Sequence, residues 1–137
     1  CFSLTNVTIP KSVTDIGMVS FGLTPWLEAQ GDTEFVIVGN GVLIQYNGSE
    51  NNVTIPKQVN SIAGGAFPSG EDLERVTIPD GVTTIGESAF SGCRSLTNVV
   101  IPKSVTNIGM DAFDSNLLIG GSGVRVRMFS ERRRVCR

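Results

Sequence analysis

Glu71, Asp72 and Glu74 place three carboxylates within four residues. Paired carboxylates run glycoside hydrolysis when two of them flank a sugar bond. Here they surround Leu73, a regular position of the chain, and a polar connection between elements is the plain reading. Asp111, Asp114 and Asn116 have a faintly calcium-like spacing but lack the rest of an EF-hand loop. The chain has no His. That removes the usual general base, excludes Ser-His-Asp and Cys-His nucleophilic catalysis within these residues and weakens any zinc site. Cys1, Cys93 and Cys136 are odd in number and lack metal-ligand spacing. Cys93 suits a small apolar filler, while Cys1 and Cys136 are either free or paired outside this chain. Gly120-Gly121-Ser122-Gly123 has no Walker lysine and follows no βαβ pattern, so it makes a poor phosphate cradle. Asn6-Val7-Thr8, Asn47-Gly48-Ser49 and Asn52-Val53-Thr54 fit the glycosylation acceptor pattern, two of them because the chain repeats Val-Thr-Ile. No catalytic residue, metal-ligand set or cofactor motif emerges, and the expectation is a protein that is not an enzyme.

What would position these residues is a repeat. Ile-Pro falls at Ile9-Pro10, Ile55-Pro56, Ile78-Pro79 and Ile101-Pro102, at intervals of 46, 23 and 23 residues. Other columns keep the phase: Val7, Val53, Val76 and Val99; Val13, Val59, Val82 and Val105; Ile16, Ile62, Ile85 and Ile108; Phe21, Phe67, Phe90 and Phe113. Leu4, Leu73 and Leu96 open three of the four repeats. A fixed period of this length signals a stack of supersecondary units, none of which buries its apolar edge alone. In Val-x-Ile the branched residues lie two apart and share one side of a short strand. Proline then closes the strand because it lacks a ladder donor. Val-x-x-Ile sends two more side chains inward at a bend. Gly17, Gly86 and Gly109 follow that Ile, where the chain needs either positive φ or close approach, although Ala63 holds the place once. The Phe column predicts a spine of stacked rings.

Residues 22–50 interrupt the pattern at about one repeat's length. Gly22 to Gly31 reads as a loop or short helical turn, and two β-rich runs flank Gly39-Asn40-Gly41 as a hairpin. The expected organisation is one domain over 1–137. Its repeats lie at about 1–24, 51–70, 71–93 and 94–116, with a modified hairpin repeat at 25–50 and a cap or tail at 117–137. Leu117-Leu118-Ile119 suits a last strand, and Val124 to Arg134 either a final strand or a short helix with Ser122 as N-cap.

The formal net charge of −2 hides an asymmetry. Residues 125–137 carry six Arg against Glu131, a balance of +5, and the rest of the chain stands at −7. Such a tail offers nucleic acid or an anionic membrane a basic contact, and a solvated end is its bland counterpart. Hydrophobic residues make up 40%, too many for a disordered chain, and no apolar run is long enough to span a bilayer. No signal peptide is evident, and Cys1 stands inside a repeat, which suits a fragment or mature segment.

Leu-x-x-Val-x-Ile-Pro-x-x-Val-x-x-Ile-Gly-x-x-Ala-Phe-x-x-Cys, best seen over Leu73–Cys93, resembles the BspA-like (Treponema pallidum type) leucine-rich repeats. The resemblance covers about residues 1–21 and 51–119, and the hairpin insertion looks like a variant repeat of gut-bacterial members. It implies a mainly β, right-handed leucine-rich-repeat solenoid with short parallel strands and a C-terminal cap. It also implies a secreted or cell-surface bacterial protein that attaches to host, matrix or other cell-surface proteins, and it implies no shared binding site.

The remaining candidates are surface residues. The middle residue of Val-x-Ile points outward, giving Thr8, Thr54, Thr77 and Val100, and Lys11, Lys57, Asp80 and Lys103 follow the prolines. Stacked repeats would set these about 5 Å apart, the spacing of neighbouring strands. The expectation is a non-catalytic protein-interaction or adhesion module with a protein partner, no cofactor, no metal and no nucleic acid. The alternative is a spacer or targeting region of a larger secreted enzyme.

Overall fold

The structure, a computed structural model, describes residues 3–17, 20–68 and 70–113 and the backbone of Arg125–Met128. It is mainly β. A short helix α1 (Pro25–Glu28) precedes nine strands: β1 (Phe35–Val38), β2 (Val42–Tyr46), β3 (Asn52–Thr54), β4 (Ser61–Ile62), β5 (Arg75–Thr77), β6 (Thr84–Ile85), β7 (Asn98–Ile101), β8 (Asn107–Ile108) and β9 (Arg125–Met128). Thr24 caps α1: its hydroxyl accepts from the Leu27 amide at 3.2 Å, and Pro25 starts the helix where no amide donor is needed.

Two sheets result. One runs β3-β5-β7-β9, all parallel, with Val53, Val76, Val99 and Val126 as successive partners. The Val-x-Ile motif thus forms the expected ladder, one strand per 23 residues between β3 and β7. The other runs β1-β2-β4-β6-β8, where the bend of Val-x-x-Ile proves to be a two-residue strand and Leu43, Ile62, Ile85 and Ile108 align. The hairpin also forms: β1 pairs antiparallel with β2 across Gly39–Gly41, and β2 joins β4 in parallel. The modified repeat therefore keeps the phase through the second sheet.

The core is one cluster running through successive repeats. Ile55, Val59, Ile62, Val76, Ile78, Val82, Ile85, Leu96, Val99 and Ile101 are each at most 2% exposed apart from none of the series. The ring spine is present with altered membership. Phe35–Tyr46, Tyr46–Phe67, Phe67–Phe90 and Phe90–Phe113 lie 5.1, 5.2, 4.6 and 5.2 Å apart. Phe21, expected to begin that spine, instead pairs with Trp26 at 5.2 Å. The insertion supplies its own rings to the stack, so the first repeat is set aside from it.

The first repeat differs throughout. Residues 4–10 form no strand, and Val7, Ile9, Val13, Ile16 and Phe21 are only half-buried. Its backbone contacts are with the insertion: the Trp26 amide donates to Leu4 O (2.9 Å) and the Asn40 amide to Val13 O (3.3 Å).

The glycine column separates two requirements. At Gly86 and Gly109 a Cβ would collide with backbone of the preceding repeat, at Gly64 and Ala63 and at Glu87 and Gly86 respectively. Close approach is thus the reason for these glycines. Positive φ falls two residues later, at Gly65 (65°), Ser88 (55°) and Asp111 (54°), which also share a column. Ala63 holds the glycine's place against the modified repeat, its amide bonded to Leu43 O at 2.8 Å.

At the C-terminal end, Arg125–Met128 settles as a strand beside β7 rather than a helix. Leu117–Ile119, Gly120–Gly123, the Ser122 cap, Asp114, Asn116, Cys1, Cys136 and the Arg-rich end beyond Met128 lie outside the described residues.

Candidate functional interface

The first sheet turns alternate residues inward and outward. Val53, Val76 and Val99 are buried, while Thr54 is exposed and Thr77 and Val100 are half-buried on the other face. Thr54, Thr77 and Val100 are direct cross-strand partners on β3, β5 and β7, followed in register by Arg127 on β9. Neighbouring strands stand about 4.8 Å apart, so these side chains form a continuous row. Lys57, Asp80 and Lys103 are exposed in the turns just after the prolines. There the Ser104 hydroxyl accepts the Gly81 amide at 3.1 Å and ties two successive turns together. Thr8 and Lys11 are exposed too, but their segment lies in no sheet, so the paired row contains Thr54, Thr77 and Val100 without Thr8.

A second row was not singled out by sequence. Asn60 donates its side-chain amide to Asn40 O at 2.7 Å, and the hydroxyls of Thr83 and Thr106 donate to Asn60 O and Thr83 O, both at 3.3 Å. These side chains satisfy the carbonyl of the preceding repeat, a structural task. Spacing of 23 residues was the available signal.

The catalytic candidates resolve as turns. Glu71, Asp72 and Glu74 are all exposed, and Glu74 receives the Asn51 side-chain amide at 3.4 Å. Its backbone carbonyl accepts the Thr97 hydroxyl at 3.2 Å. Among the described residues no group of three or more His, Cys, Asp or Glu is arranged to hold a metal ion. Cys93 is fully buried, and desolvation pushes its thiol up to about 12, so at neutral pH it stays protonated and unreactive. Burial also raises the Tyr46 phenol, against the lowering effect of the Glu50 amide bonded to its oxygen at 3.4 Å. Among the described residues no helix is long and apolar enough to cross a membrane.

No curated protein matches the chain. Among solved structures, the crystal structure of the pneumococcal vaccine antigen PcpA is similar at 19% identity and a TM-score of 0.46, with 75% of this chain aligned to 34% of that one. The chain thus spans about a third of that protein's length. The family model of the BspA type leucine rich repeat region matches residues 1–119 in six copies, and on that match the chain belongs to the BspA type leucine-rich repeat family.

Proposed function

We propose that the protein is a non-catalytic interaction module of a bacterial cell-surface or secreted protein, and that its repeats form one right-handed solenoid serving adhesion. The observation that carries this reading is the in-register row Thr54–Thr77–Val100. It presents short side chains on a regular outward face, edged by Lys57, Asp80 and Lys103. An extended regular face suits a protein partner, because side chains at fixed spacing match a surface without reordering of the binder.

The test is binding of the purified chain to a panel of host matrix and cell-surface proteins. A double substitution, Thr54→Glu with Thr77→Glu, adds two charges to the centre of the row. We expect it to weaken the partner by more than about tenfold, or roughly 1.4 kcal/mol, with the thermal midpoint little changed. A partner that binds this variant as tightly as the unaltered chain would place recognition elsewhere.

A further inference from the structure

The outer face of the second sheet carries a column that changes character along the stack. Val42, Ser61, Thr84 and Asn107 are successive partners on β2, β4, β6 and β8 and therefore share one face. Val42 is fully buried and Ser61 is 3% exposed, whereas Thr84 is half-buried and Asn107 exposed. Where burial gives way to exposure there is a cleft of about 320 Å³, walled by Asp15 and Gly17 of the first repeat and by Thr84, Glu87 and Asn107. Ile16 and Gly17 also line a smaller cavity of about 70 Å³ with Ile44 and Ala63, which places this part of the first repeat over β2 and the end of β4.

Two independent features distinguish the cleft. Its charged walls are both carboxylates, Asp15 and Glu87, and none of its lining residues is basic. In addition, the Ser61 hydroxyl, on the same face one strand inward, is the buried side-chain polar atom that has no hydrogen-bond partner among the described residues. A buried hydroxyl without a partner is unfavourable, and each such group calls for an explanation. Here the hydroxyl, the Thr84 hydroxyl and the Asn107 amide supply acceptors on one face beside two negative charges.

We propose that this cleft binds the basic side chain of an extended peptide, a lysine ammonium or an arginine guanidinium. Such a group brings several donors and a positive charge but no acceptor, which matches carboxylates and acceptor oxygens. The site lies on a different sheet from the Thr54–Thr77–Val100 row and does not depend on that row's function.

Fluorescence anisotropy with labelled hexalysine and hexaarginine tests it on the full chain. At least one peptide should bind, less tightly as salt rises, and whichever binds better identifies the preferred cation. D15N/E87Q should weaken binding about tenfold or more, whereas E71Q/D72N, which removes the same charge from an exposed turn, should leave it within about twofold. S61A should also weaken binding while the thermal midpoint holds or rises. Thr54→Glu with Thr77→Glu should leave peptide affinity undiminished, which keeps this result separate from that of the adhesive row. The proposal is overturned if neither peptide binds, if D15N/E87Q binds as the parent does, if E71Q/D72N loses as much as D15N/E87Q, or if S61A binds unchanged.

Discussion

Ser88 and Asp111 hold a backbone conformation that suits glycine, and Gly65 occupies the same place one repeat earlier. A non-glycine residue in this region carries a cost of roughly 1–2 kcal/mol. Ser88→Gly removes that cost but adds freedom to the unfolded chain. We expect a net gain of up to about 1 kcal/mol in urea unfolding; a loss of that size would show that the Ser88 side chain stabilises the turn. Gly86→Ala acts oppositely, because its Cβ meets the backbone at Gly64 rather than a side chain that could turn aside. The sequence shows the Gly86–Gly109 column but hides the positive-φ column, since two of its three members are not glycine. Cys93 gives a pH dependence of defined sign. Its thiol titrates near 9.0 when unfolded and near 12 when folded. The stability linked to the protonated thiol is whole below pH 9 and is lost as pH rises toward 12, at about 1.36 kcal/mol per pH unit. Cys93→Ala should flatten that part of an alkaline stability profile. A profile of unchanged slope between pH 9 and 12 would refute the assignment.

Among the elements, the strands built on Val-x-Ile were legible because branched residues two apart, stopped by proline, permit little else. The hairpin was legible from Gly39-Asn40-Gly41. The second sheet was not, because strands of two residues such as Ser61–Ile62 leave no alternation to read. The place of Tyr46 in the ring spine was also hidden, since it stands 21 residues before Phe67 rather than 23 and is not a phenylalanine. This composition of the spine sets its energetics. Phe90 is fully buried and contacts a ring on each side, at 4.6 and 5.2 Å, so Phe90→Ala should cost about 3–5 kcal/mol. Phe21 is half-buried outside the spine, and Phe21→Ala should cost less than half as much. Equal losses in denaturant melts would contradict the set-aside position of the first repeat.

For the molecule as a whole, the repeat makes the adhesive row partly legible. Period and alternation foretell that Thr54, Thr77 and Val100 share a face, but they equally nominate Thr8, which the structure leaves outside the sheet. The difference is not in the letters, because Asn6–Lys11 and Asn52–Lys57 are the same six residues. It comes from what stands beside them. β3 has β5 as a partner, whereas the first segment faces an insertion whose β-rich residues are committed to the other sheet. Identical sequences in different surroundings make a controlled comparison of stacking. Val53 is 4% exposed and Val7 half-exposed, so Val53→Ala should cost about 1–3 kcal/mol and Val7→Ala well under 1 kcal/mol. Hydrogen exchange should follow the same division. Amides of β5 lie between two strands and should exchange through the most costly opening, while those of residues 6–9, in no ladder, should exchange early. If residues 6–9 were protected as well as β5, the first repeat would be part of the stack in solution, and Thr8 and Lys11 would then extend the adhesive row.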